Sequence, residues 1–138
     1  MKNPIPQGKY RPAVRWGNLI YTAGMTPRKD GVLLMSGPVR GEEPVETYRA
    51  AVLQAAENAL TAARNCLAEG ERIAQILSLT VYVNAAPGFT AHSKLGDVAS
   101  QYLYSQLGDG GIGPRAAVGA ASLPGDAPVE IQLVAAAE

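Results

Sequence analysis

The chain has 138 residues, 47% apolar and 17% charged, with twelve basic and twelve acidic side chains and no formal net charge. That length predicts one domain, residues 1–138, which can bury a core without disulfides or metals. Balanced charge is a poor basis for holding nucleic acid, the lone cysteine excludes an internal disulfide, and no apolar run is long enough to cross a bilayer.

The N-terminal residues, Met1-Lys2-Asn3-Pro4-Ile5-Pro6, lack the apolar stretch of a signal peptide. With a single cysteine, the expected compartment is a reducing cytoplasm. Residues 1–9 read as a surface arm. Arg11 to Trp16 reads as a short strand, placed at an edge by Pro12. Gly17-Asn18 is a hairpin signal, and Leu19 to Ala23 is the partner strand. Gly24 to Gly41 is a long connection. Its apolar patch, Val32 to Met35, reads as a short strand or as a loop packed on the core.

A helix is predicted from Pro44, a residue favoured at the first helical position. Val45, Tyr48, Val52, Ala55, Ala56, Ala59, Leu60, Ala63 and Leu67 recur at helical spacing, and Gly70 ends the pattern. Ile76 to Val83 reads as a strand. Leu77, Leu79, Val81 and Val83 are expected on one face, with Ile76, Thr80 and Tyr82 on the other. A second helix is predicted from Ser93, as N-cap, to Leu107. Residues 108–113 read as a flexible glycine loop. Strands at Arg115 and from Val129 to Ala135 follow, joined by a turn at residues 123–126, in the manner of a hairpin.

Chemistry concentrates in that last quarter. Arg115, after Pro114, could hold a small carboxylate bidentately. Glu130 shares a strand face with Gln132 and Val134. At the edge of an apolar site it would have a raised pKa suited to acid–base work. The only histidine, His92, has no metal-ligating cluster around it and reads as exposed near the start of the second helix, and Cys66 reads as a packing residue. No metal or cofactor is expected. Gly110-Gly111-Ile112-Gly113 lacks a P-loop lysine and is no phosphate cradle.

Taken together, the segments resemble the Rid family, the reactive intermediate deaminases also called YjgF or L-PSP. The resemblance covers nearly the whole chain. It is carried by Tyr10 with Ala13-Val14, by Gly17 to Gly24, by Leu79 to Val83, by Pro114-Arg115, by Leu123-Pro124 and by Val129-Glu130-Ile131. Residues 82–90 and 117–124 resemble a divergent branch.

The resemblance implies an α+β, chorismate-mutase-like fold: a mixed sheet with two helices on one face. It implies a homotrimer assembled as a barrel, with clefts between subunits. It implies hydrolysis of 2-imino acids to 2-keto acids and ammonia. Arg115 would bind the substrate carboxylate and Glu130 would orient the water. Tyr10 would line the cleft, and the Ala117 carbonyl would help hold the water. Ala23 stands where the archetype has serine, Lys9 where it has proline, and Gly96 or Asp97 near its helix-start asparagine. Two other readings are a non-catalytic sensor of small carboxylates and a ribonuclease. Zero net charge and the absence of a histidine-based acid–base pair argue against the latter.

Overall fold

The computed structural model describes residues 1–138. The strands are β1 (Ala13–Trp16), β2 (Leu19–Thr22), β3 (Arg28–Lys29), β4 (Val32–Leu33), β5 (Ile73–Asn84), β6 (Arg115–Ala120) and β7 (Val129–Ala137). The helices are α1 (Arg49–Arg64) and α2 (His92–Leu107). Five strands form one mixed sheet in the order β1-β2-β7-β5-β6, and β3 and β4 form a separate ribbon. Both helices pack on one face of the sheet. None is long and apolar enough to cross a membrane.

The expected chorismate-mutase-like barrel is overturned. The sheet is open, with β1 and β6 as free edges. Closing a barrel requires those edges to pair. What stands is an α+β fold with a mixed sheet and two helices on one face.

The core lies between the helices and the sheet. Alanines at 51, 55, 56, 59, 62 and 63 are buried along α1 and let it approach closely. They meet Ile20, Ile131, Leu133 and Ala135, which are fully buried or nearly so. Pro44 precedes a short 3-10 turn, Val45–Tyr48, and the α-helix starts only at Arg49. Asn58 is buried on α1. Its amide donates to the carbonyls of Thr26 (3.1 Å) and Arg28 (2.8 Å), which pins the connection into β3. Of the two readings for Val32–Met35, the short strand holds: Val32–Leu33 forms β4, with Val32 and Leu34 exposed and Met35 packed against the core.

Strand β5 departs from simple alternation. Its register against β7 shifts between Ile73 and Gln75 and again between Ile76 and Ser78. Each irregularity inserts a residue and flips the parity of those before it. Ile76 is therefore buried with Leu79, Val81 and Val83, whereas Leu77 is exposed. The expected pairing of Leu77 with the core face is corrected accordingly.

The glycine loop is tightly packed. A Cβ on Gly110 would lie 2.1 Å from the Ala74 carbonyl oxygen, and one on Gly111 would lie 2.3 Å from that of Leu103. One on Gly113 would lie 2.0 Å from the Ile76 oxygen. These glycines let backbone meet backbone. Gly113→Ala is expected to destabilise the fold by about 1–3 kcal/mol, the usual cost of overpacking. Denaturant titration checks this, and an unchanged midpoint contradicts it.

Candidate functional site

The strand register decides where each candidate side chain points. Strand β6 pairs parallel with β5, placing Leu79 beside Arg115 and Tyr82 beside Val118. Strand β7 pairs antiparallel with the other edge of β5, placing Glu130 beside Tyr82. Partnered residues share a face. Arg115 therefore lies on the helix face with Leu79, and Glu130 lies on the open face with Tyr82. The expected hairpin of β6 and β7 does not form, because β5 runs between them. Within one chain, Arg115 and Glu130 are separated by the sheet.

Arg115 reaches across to α2. Its Nη1 donates to Asp97 Oδ1 and to Ser100 Oγ, each at 3.0 Å. Its Nη2 donates to Ser93 Oγ (2.9 Å) and the Ser93 carbonyl (3.3 Å). Residues 93, 97 and 100 form one stripe of α2, at helical spacing. Gly96 completes the seat: a Cβ there would lie 2.9 Å from Arg115 Nε. Ser93 is not the expected N-cap. Helix α2 begins at His92 after Ala91, and no side chain caps it. Ala117 lies on the same sheet face as Arg115, beside Val81, and is half-buried.

Glu130 is in a different situation. It is half-buried, and burial pushes its carboxyl above the ordinary value of 4.5. It makes no side-chain hydrogen bond or ion pair, although its strand neighbour Gln132 donates to the Thr22 carbonyl at 3.3 Å. The carboxylate lies against Gly24, where a Cβ would come 2.2 Å from Oε2. The two glycines thus have parallel uses. Gly24 makes room for the glutamate and Gly96 for the arginine.

Around Glu130 the open face is apolar. Val14, Trp16, Leu19, Tyr21 and Val118 are all exposed there, Trp16 to 82%. Tyr10 stands apart in the N-terminal arm. Its hydroxyl accepts from the Gln7 N–H at 3.0 Å, and its ring lines a cavity of about 520 Å³ together with Gly24, Arg28, Glu57 and Asn58. Neither Arg115 nor Glu130 lines that cavity. His92 is half-buried and packs edge-on against Phe89, with ring centroids 5.0 Å apart. Cys66 is half-buried, its thiol pushed up by burial. No group of three His, Cys, Asp or Glu side chains could hold a metal ion.

This open mixed sheet with two helices on one face has counterparts among known proteins. Residues 1–137 match the family described as Endoribonuclease L-PSP. The chain belongs to this family, the Rid/YjgF/L-PSP superfamily, as a divergent branch. It is 30% identical over 127 residues to Protein TCP17 of Trypanosoma cruzi, covering 91% of this chain and 79% of that one. The crystal structure of Atu1372 from Agrobacterium tumefaciens, a protein of unknown function, superposes with a TM-score of 0.84 at 31% identity, covering 97% and 86%. A putative endoribonuclease from Shewanella oneidensis superposes with a TM-score of 0.86 at 27% identity, covering 99% and 90%.

The residues that reading the sequence alone missed are Ser93, Asp97 and Ser100 as partners of Arg115. The signal was present as a small polar stripe on one face of α2. It could not be linked to Arg115 before the parallel pairing of β6 was known.

The raised pKa of Glu130 has a consequence for stability. As pH rises, the unfolded chain gives up this proton first, near the ordinary value. Stability is then lost until pH passes the higher folded value, and the loss persists above it. Glu130→Gln removes this loss. The melting temperature of the variant relative to wild type is expected to be higher at about pH 7 than at about pH 4. A difference that does not change with pH contradicts the assignment.

Proposed function

We propose that the protein hydrolyses small 2-imino acids to 2-keto acids and ammonia, in clefts completed by neighbouring copies of the chain. The family includes Rid-like proteins, some of which deaminate imines and enamines. The observation that carries the reading for this chain is Glu130, a half-buried carboxylate with no side-chain partner and a raised pKa, at the rim of an apolar face. A partly desolvated carboxylate with a raised pKa in such a place is characteristic of acid–base sites.

In this reaction Arg115 holds the substrate carboxylate through its guanidinium. Glu130 takes a proton from water as the oxygen attacks C2 of the iminium. Glu130 returns this proton to the nitrogen of the resulting carbinolamine, the C–N bond breaks, and the hydroxyl proton passes to the departing ammonia. Ammonium and a 2-keto acid leave. The raised pKa of Glu130 brings it closer to neutrality, where both transfers are efficient. The Ala117 carbonyl helps hold the water, and Tyr10 closes the cleft. No metal or cofactor takes part.

Assembly follows from the separation of Arg115 and Glu130. A homotrimer in which the free β6 edge of one copy lies against the open face of the next would set Arg115 of the first near Glu130 of the second. Exposed Trp16, Tyr21 and Val118 support that burial, because apolar patches of this kind are seldom left in water. A cytoplasmic setting, close to enzymes that release imines, suits such a substrate.

One observation favours a second reading, the small-carboxylate sensor: Ala23 stands where the archetype has a serine, so one polar contact of the cleft is lost while Arg115 remains. Ribonuclease action is the weaker reading, since net charge is zero and His92 has only Phe89 for a ring partner.

The test is hydrolysis of 2-iminopropanoate generated in situ by a dehydratase. Wild type is expected to accelerate it. Arg115→Ala is expected to lose at least about a hundredfold in kcat/KM with assembly intact, the scale of a lost charge-assisted anchor. An inactive wild type would overturn the deaminase reading.

A further inference from the structure

Arg115 stands beside a negative charge for which the proposed reaction has no use. A guanidinium has five N–H donors. Four of them go to α2 in this structure, and the one fully charged acceptor among their partners is Asp97. Ser93 and Ser100 present hydroxyls that can rotate and donate in turn, so they can adapt to a ligand. Asp97 cannot adapt in this way, since its ionised carboxylate only accepts.

An arriving carboxylate has two ways to bind. It can displace Asp97 from Nη1, or it can sit beside Asp97 on the same guanidinium. In both cases two carboxylates share one cation. Displaced Asp97 does not leave, because α2 holds it within one helical turn of Ser93 and Ser100. A ligand bearing only negative charge therefore meets repulsion wherever it settles.

A ligand with a cationic nitrogen next to its carboxylate meets the opposite situation. Its carboxylate pairs with Arg115 while its ammonium or iminium pairs with Asp97. The Arg115–Asp97 pair, 3.0 Å apart, is then matched by a ligand dipole of opposite sense. We infer that Asp97 is a specificity-determining residue of the Arg115 site, selecting zwitterionic 2-imino or 2-amino acids over simple carboxylates. This rests on the reading of Arg115 as the carboxylate anchor. It adds a consequence for turnover. Hydrolysis removes the cationic nitrogen, so the 2-keto product loses its partner on Asp97 and is driven out.

Gly96 sets this arrangement up. It leaves the guanidinium space to lie down on α2, within reach of Asp97. The Asp97 side chain is 60% exposed, so solvent screens the effect to a modest size.

The experiment is calorimetric titration of the full-length protein with two ligands of one carbon skeleton, 2-aminobutyrate and 2-ketobutyrate. Wild type is expected to bind 2-aminobutyrate tighter by up to about fivefold. Asp97→Asn keeps an oxygen acceptor for Nη1, so the seat of Arg115 is retained while the charge goes. This variant is expected to bind 2-ketobutyrate more tightly and 2-aminobutyrate more weakly. Three results would overturn the inference: equal or inverted preference in wild type, binding of neither ligand, or the same change for both ligands in the variant. Hydrolysis of 2-iminopropanoate on the same preparations separates the two claims. Turnover without the ligand preference removes the role of Asp97 alone. The preference without turnover removes the deaminase reading alone.

Discussion

The position of β5 governs the rest of the molecule. It is the one strand with a parallel neighbour on one side and an antiparallel neighbour on the other. Its alternation is thereby imposed on both β6 and β7. Arg115 inherits the face of Leu79, and Glu130 inherits the face of Tyr82. The irregularities earlier in β5 set the same parity for the core, by turning Ile76 inward and Leu77 outward. A one-residue slip would reverse every one of these assignments.

The two charged groups are treated in opposite ways by their surroundings. Arg115 has nearly all its donors satisfied, by hydroxyls, a carbonyl and one carboxylate. Glu130 has no partner and pays a desolvation penalty. The first arrangement holds a side chain in one orientation. The second leaves a carboxylate ready to accept a proton. Glycines make both possible, because a methyl at position 24 or 96 would occupy the space each side chain uses. Functional groups are often supported by such small residues, which add no atoms of their own to the site.

Much of this was readable in the chain. The alanine-rich period of α1 predicted its buried face, and the β1–β2 hairpin followed from Gly17-Asn18, where Gly17 takes the positive φ such turns need. What was hidden depends on contacts remote in sequence. The bulges in β5 carry no glycine or proline to announce them. The glycine run at 110–113 reads as flexible until the carbonyls of Ala74, Leu103 and Ile76 are seen against it. The proximity of Arg115 and Glu130 in sequence suggested a hairpin. A parallel partner for β6 was the alternative, and local pattern does not distinguish the two. Asp97 drew notice only as lying near the archetype's helix-start asparagine, since nothing local joins it to an arginine eighteen positions later.

The central claim is that a working site needs two copies of the chain, one supplying Arg115 and the other Glu130. Complementation tests it directly. Arg115→Ala and Glu130→Gln would be purified separately, each inactive, then unfolded together in equal amounts and refolded. In mixed assemblies about a quarter of the clefts would combine an intact arginine with an intact glutamate, for random association of copies. Imine hydrolysis recovered to roughly that fraction of wild type is the predicted result. Mixed assemblies that form but remain inactive would contradict a shared site.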